Sequence, residues 1–369
     1  MIVDSHGHIF QNWSGPCGHE SKAIHLKYLQ KTLTRSPARV VRARDGGPGE
    51  THHLFRKGDN TWDGLRDDVN FRVGTYGRLE FTVHGEDYYI QFMPVNMATF
   101  ESPPELLLAL MDLAGVDHCV LQAGMNYGVM NDYNALAQHQ YPDKFTGLLH
   151  VDSPMAYTPQ WMEEVDRAYN RLNLRGIYYE VDEFSRYGCE WTFDDARMDP
   201  FWELAASLDV PVFFGTSSLP NYDRASYIAN IKRLDGLLTR FPEMRWLLIM
   251  CPPVQYFAKN GKWAFPPEVD QTYRRENLQL EVVFPIVWGG VWDYPFPEAQ
   301  VLIRDLRDKY GAEKLVWGSD MPNIERFCTY KQCIDYIRRY CNFLTSREKD
   351  LILGENLIDL CKIKLSPSK

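Results

Sequence analysis

The feature that most constrains this chain is an alternation of two hydrophobic periods. Short apolar runs at Met1–Val3, Cys119–Leu121, Phe145–Val151, Arg175–Val181, Val210–Gly215, Arg245–Cys251, Leu278–Phe284 and Lys314–Gly318 read as strands. Between them lie stretches with helical spacing, among them 103–115, 158–172, 199–209, 227–241 and 297–311. Segments 329–343 and 346–362 add helical candidates after the last strand. Strand and helix repeated in this way give a parallel sheet, and eight such units make an α/β chain a (β/α)8 TIM barrel. Runs such as WLLIM and VPVFF suit strands covered on both faces. The 369 residues then form a single barrel domain, 1–369, rather than two average ones.

One stretch breaks the alternation. Approximately residues 11–100 separate the first strand from the first barrel helix, far beyond an ordinary βα loop. Residues 41–64 read as loop, and 78–93 as a β-hairpin turning at His84-Gly85-Glu86-Asp87. An insertion on a βα loop sits at the face where barrels build their active sites. It is expected to be a lid or pocket wall, or alternatively an arm between subunits of a homodimer or higher homo-oligomer.

Composition removes several functions. With 49 acidic against 40 basic residues the net charge is −9, a poor match for a phosphate backbone, so no nucleic-acid partner is expected. No apolar run reaches the length of a membrane span. The start, MIVDSHGHIF, lacks a basic segment followed by an apolar core, so no secretion signal is expected. The eight cysteines form no CxxC pair, and reduced thiols in a cytoplasmic protein are the natural reading. Ten Trp, 21 Tyr and 19 Phe exceed what a core alone needs and point to a pocket lined with rings.

Two motifs carry chemistry. In Asp4-Ser5-His6-Gly7-His8, residues two apart in an extended chain share a side, so His6 and His8 project together after the first strand. Two neutral imidazoles are half of a transition-metal site, or else two structural histidines. In LVWGSDMP (315–322) Asp320 follows the eighth strand, which neighbours the first when a barrel closes. Asp320 could ligate a metal, take a proton from water or protonate a carbon; it could also cap the next turn. Glu180 ends the fourth strand and His150 the third, each as a further ligand or acid–base group, or as an exposed acid and a core histidine. Of Tyr178 and Tyr179, one must face the barrel centre. Trp263, Trp288, Trp292 and Tyr294, in the loops after strands six and seven, could stack on a flat substrate or pack an interface. Arg326 and Lys262 are candidate carboxylate-binding cations, and Cys251 a soft ligand or nucleophile.

DSHGHIF, LVWGSDMP and LTSREKDLILGENLIDL (344–360), with LMDLAGVDHCVLQAG, YPDKFTGLLHVD and FPEMRWLLIM, resemble the amidohydrolase superfamily. The resemblance is to its amidohydrolase-related group, which includes aminocarboxymuconate-semialdehyde and γ-resorcylate decarboxylases. It covers nearly the whole chain outside the insertion. It implies a (β/α)8 enzyme holding one divalent metal, zinc or manganese, and acting on small aromatic or unsaturated carboxylic acids. His6, His8 and Asp320 match the group's site positions. Gly215 stands where the resemblance implies a metal-binding histidine on strand five, and Met250 or Cys251 where it implies one on strand six. His6, His8 and Asp320, with Glu180 as a candidate fourth, would then be the ligands.

Three functions follow as expectations. The first is a metal-assisted hydrolase of a flat carboxylic acid. The second is a non-oxidative decarboxylase of an aromatic or muconate-like acid. The third is a barrel that has lost its metal and serves as a non-catalytic subunit.

Overall fold

The computed structural model describes residues 1–33, 39–56, 59, 61–216, 223–283 and 292–364. The eight barrel strands are Val3–Gly7, His118–Leu121, Phe145–Gly147 continued by Leu149–His150, Ile177–Glu180, Val212–Gly215, Trp246–Cys251, Leu278–Val283 and Leu315–Gly318. All pair in parallel with their sequence neighbours. First and last strands meet through a parallel bridge between Gly7 and Met321, with His8 N donating to Met321 O and Asp320 N to His6 O. The third strand is interrupted at Leu148, whose side chain turns into the barrel interior.

Period-two alternation sorts the side chains. Val3, Val120, Leu148, Tyr178, Phe213, Leu247, Ile249 and Val316 fill the interior. Leu357, Leu360 and Cys361 of the helix Asn356–Cys361 join them as a plug. The alternate set, including Tyr179, Phe214 and Trp246, packs outward against helices such as Asp199–Ser207. Tyr178 is therefore the tyrosine that faces the centre.

The insertion has its own core, built on Phe10, Trp13, Leu29, Phe81, Ile90 and Met93 among others. The expected hairpin is Arg78–Val83 with Glu86–Gln91, and its turn is only His84-Gly85. Both turn residues are left-handed (φ 51° and 79°), the twist a two-residue hairpin needs. Val40–Arg42, expected to lie largely in a loop, instead pairs with Glu86–Gln91, and Arg72–Val73 pairs with Arg78–Val83 on the other edge, making a sheet of four strands. A helix at Lys22–Leu33 was not anticipated; its weak apolar periodicity hid it.

The insertion is clasped to the barrel rather than projecting from it. Tyr28 donates to Asp152 Oδ2 (3.0 Å) beyond the third strand. Tyr28 and Trp62 stack edge-on at 4.9 Å, and Trp62 meets Tyr187 of the barrel at 4.8 Å. No helix among the described residues is long and apolar enough to cross a membrane.

Candidate functional site

The first strand runs farther than expected, through Gly7, because its ladder with the second strand continues past an irregularity between Asp4 and Gly7. His6 thus lies inside the strand and His8 just beyond it. Their rings sit 4.9 Å apart. Across the closure, Asp320 Oδ1 is 3.0 Å from His8 Nε2 and 3.8 Å from His6 Nε2. One ligand atom from each of the three falls within 4.8 Å of the others, and all three are buried. Asp320 has φ 62°, a left-handed conformation that an aspartate adopts more readily than most side chains. Its amide bond to His6 O (2.7 Å) and an Asn323 Nδ2 bond to Oδ1 (2.9 Å) hold it there. Its Oδ2 makes no hydrogen bond among the described residues.

The group rests on two buried carboxylates, Glu281 and Asp4. Glu281 is wholly buried on the seventh strand. Its Oε2 lies 3.0 Å from His6 Nδ1 and accepts Met250 N (2.9 Å), while Oε1 accepts Ser5 Oγ (2.6 Å). Gly318 makes this approach possible: a Cβ there would lie 2.8 Å from Glu281 Oε1 and 2.9 Å from His6 Cβ. An acid inside the apolar run LQLEVV was the available signal. Asp4, also fully buried, accepts His6 N and Ser319 N on Oδ1, and Ser319 Oγ and Tyr330 OH on Oδ2. It ties the first strand to the eighth and to the helix that follows.

Tyr127, from the loop after the second strand, stacks on His8 at 4.5 Å and is backed by Trp13 and Phe10 of the insertion. Arg326 keeps part of its side chain exposed, but burial around the guanidinium pulls its pKa below the usual value, with the charges of Asp320 and Tyr127 acting in the opposite sense. It forms no ion pair among the described residues; its Nε donates to Asn323 O.

Other expected residues go elsewhere. Glu180 does not join the histidines as a ligand; its Oε1 is paired to Arg186 Nη1 at 2.8 Å. His150 is fully buried under the loop carrying Gly128, and burial drives its pKa down to about 4, so its ring stays neutral. Trp263 does not line the mouth: it is buried, with Nε1 donating to Leu302 O and its ring stacked on Phe265. Segment 258–267 is not an open loop but a small hairpin followed by a helix, and this pulls Trp263 inward. Lys262 is exposed on that hairpin. Trp292 is half-buried in a groove with Val254, Pro297 and Val301. Tyr294 packs on Tyr340. Trp288 lies outside the described residues. Cys251 is no ready nucleophile: burial, then Glu281, push its thiol pKa far up, and its Sγ donates to Leu248 O.

The amidohydrolase family model matches residues 3–359. This chain is an amidohydrolase-family enzyme. No curated protein matches it in sequence. Among solved structures, it resembles a candidate 2-pyrone-4,6-dicarboxylic acid hydrolase from Pseudomonas putida, at TM-score 0.56 and 17% identity over 73% of this chain and 90% of that one. It resembles 2,6-dihydroxybenzoate decarboxylase from Rhizobium at TM-score 0.52 and 17% identity, over 71% and 89%. An uncharacterized TIM-barrel protein from Bordetella bronchiseptica matches 97% of both chains at TM-score 0.54 and 16% identity. That last match takes in the insertion as well. These likenesses establish the barrel.

Members of the amidohydrolase family usually depend on a metal, and the donor set here fits one. His8 Nδ1 lies 2.9 Å from Gln122 O, an acceptor only, so that nitrogen carries the proton. His6 Nδ1 points at Glu281 in the same way. Both Nε2 lone pairs are then aimed at Asp320, and three lone pairs converging in a buried space call for a cation between them. A proton can partly serve: burial works against it, but Glu281 and then Asp320 raise the His6 pKa to about 9. Burial likewise opposes ionisation of Asp320, yet its bond to His8 and the charges of both histidines keep its pKa below the usual value.

Proposed function

We propose that this amidohydrolase is a metal-assisted hydrolase of a small, flat carboxylic acid, with zinc or manganese held by His6, His8 and Asp320. The observation that carries the reading is the convergence of two Nε2 lone pairs on Asp320 Oδ1 while Oδ2 has no hydrogen-bond partner among the described residues. The metal, when bound, polarises the substrate carbonyl and lowers the pKa of water at the site. Asp320 Oδ2 takes the proton from the attacking water and returns it to the leaving group. Arg326, which makes no ion pair among the described residues and whose charge couples to that of Asp320, receives the substrate carboxylate. The Tyr127 ring gives a flat substrate a stacking face, and Phe10 and Trp13 of the insertion exclude water behind it. The insertion is thus a pocket wall. A cytoplasmic homodimer completes the proposal.

Non-oxidative decarboxylation is the second reading, because Oδ2 is equally placed to deliver a proton to carbon. The test is to incubate the metal-loaded protein with 2-pyrone-4,6-dicarboxylate and with a panel of hydroxybenzoates, following ring opening and carbon dioxide together. Ring opening without carbon dioxide supports the hydrolase. Carbon dioxide release makes it a lyase. Neither, with metal bound, overturns the substrate class.

A further inference from the structure

Glu180 leaves the metal group but stays at the mouth. It ends the fourth strand, and in an eight-stranded barrel strand four lies opposite strand eight, whose end leads to Asp320 and then Arg326. Glu180, Tyr178, Tyr127 and Asp320 are nearly buried, each keeping 6–7% exposure. Tyr127 links the two sides: it stacks on His8, and its hydroxyl feels the charge of both Asp320 and Glu180.

The two oxygens of Glu180 differ. Oε1 is held by Arg186, whose guanidinium also lies 3.7 Å from Asp182, so the carboxylate is fixed in place. Among the described residues, Oε2 has only a long contact with Tyr178 OH, at 3.4 Å. A carboxylate has about four acceptor sites, so Oε2 keeps unused capacity in a nearly dry place. The backbone at Gly124 makes room for it: a Cβ there would sit 2.9 Å from Oε2.

We infer that Glu180, positioned by Arg186, is a substrate-recognition carboxylate that accepts a hydrogen bond from a hydroxyl on the side of the substrate opposite the carboxylate bound at Arg326. The inference rests on the acid-substrate reading above and narrows it to hydroxylated acids. A site built around a buried charged acceptor discriminates against the analogue that lacks the donor, because the acceptor is then left dry and unpaired.

Calorimetric titration of the purified, metal-loaded protein with benzoate, 3-hydroxybenzoate and 4-hydroxybenzoate tests it. Wild type is expected to prefer at least one hydroxybenzoate over benzoate by about tenfold or more. Glu180→Gln weakens the acceptor, and Gly124→Ala crowds it without removing its charge; each should shrink that ratio to near unity. Arg326→Gln should weaken all three probes alike and leave the ratio intact. A wild-type ratio near one, or a ratio that survives both Glu180→Gln and Gly124→Ala, overturns the assignment of Glu180 alone. Failure of every probe to bind, or indifference to Arg326→Gln, overturns the acid-substrate reading and this inference with it.

Discussion

His6 Nδ1 lies 3.0 Å from Glu281 Oε2, so a carboxylate on strand seven sets the tautomer of a histidine on strand one. This turns the His6 Nε2 lone pair toward Asp320 and raises its basicity. Glu281→Gln is expected to weaken metal binding by roughly 10–100-fold, read by competition with a chelator. An unchanged affinity would mean that His6 does not act through Nε2.

Asp4 is the knot of the barrel closure, with four donors on its two oxygens. Tyr330→Phe removes one of them from a fully buried carboxyl. Unfolding in denaturant should show a loss of about 1–3 kcal/mol. A loss indistinguishable from zero would remove Asp4 from the account of how strands one and eight are joined.

The clasp between insertion and barrel should respond to pH. Burial raises Asp152 to about 6, against the stabilising bond from Tyr28. A carboxyl whose pKa is raised by folding stabilises the fold fully below its unfolded value near 4, and that contribution is lost as pH rises through about 6. Asp152→Asn should therefore flatten the stability profile between about pH 4 and 6. It should also stabilise the protein at pH 7 by on the order of 1–3 kcal/mol. Destabilisation at pH 7 with an unchanged profile would contradict this.

Arg326 makes no ion pair among the described residues and lies within electrostatic reach of Asp320. Once a turned-over acid is in hand, Arg326→Gln should raise KM by roughly 10–100-fold, with a smaller change in kcat. A selective fall in kcat would place Arg326 in the chemical step instead.

The barrel and the His6, His8 and Asp320 group were legible because both rest on local pattern. Apolar runs mark strands, and the pairing of the first strand with the last brings their ends together without further information. Glu281 was not found because a single acid in an apolar run does not say which histidine it will meet. Trp263 was misplaced for the opposite reason: ring content near a loop says nothing about a two-residue hairpin that folds the indole under the helix Pro297–Tyr310. The helix Lys22–Leu33 escaped because its buried face includes His25, Gln30 and Lys31, which blur the apolar period. Glu180 was placed at the right strand end, but its partner Arg186 lies on the following helical turn, where a sequence motif does not show it, and holds Oε1.

The central claim is that His6, His8 and Asp320 hold a divalent metal. The direct measurement is metal content of the purified protein by mass spectrometry, with His6→Ala and Asp320→Ala beside it. The account predicts about one zinc or manganese per chain in the wild type, lost in both variants. A wild type that takes up no metal even when supplied with it, or variants that retain the full amount, would contradict it.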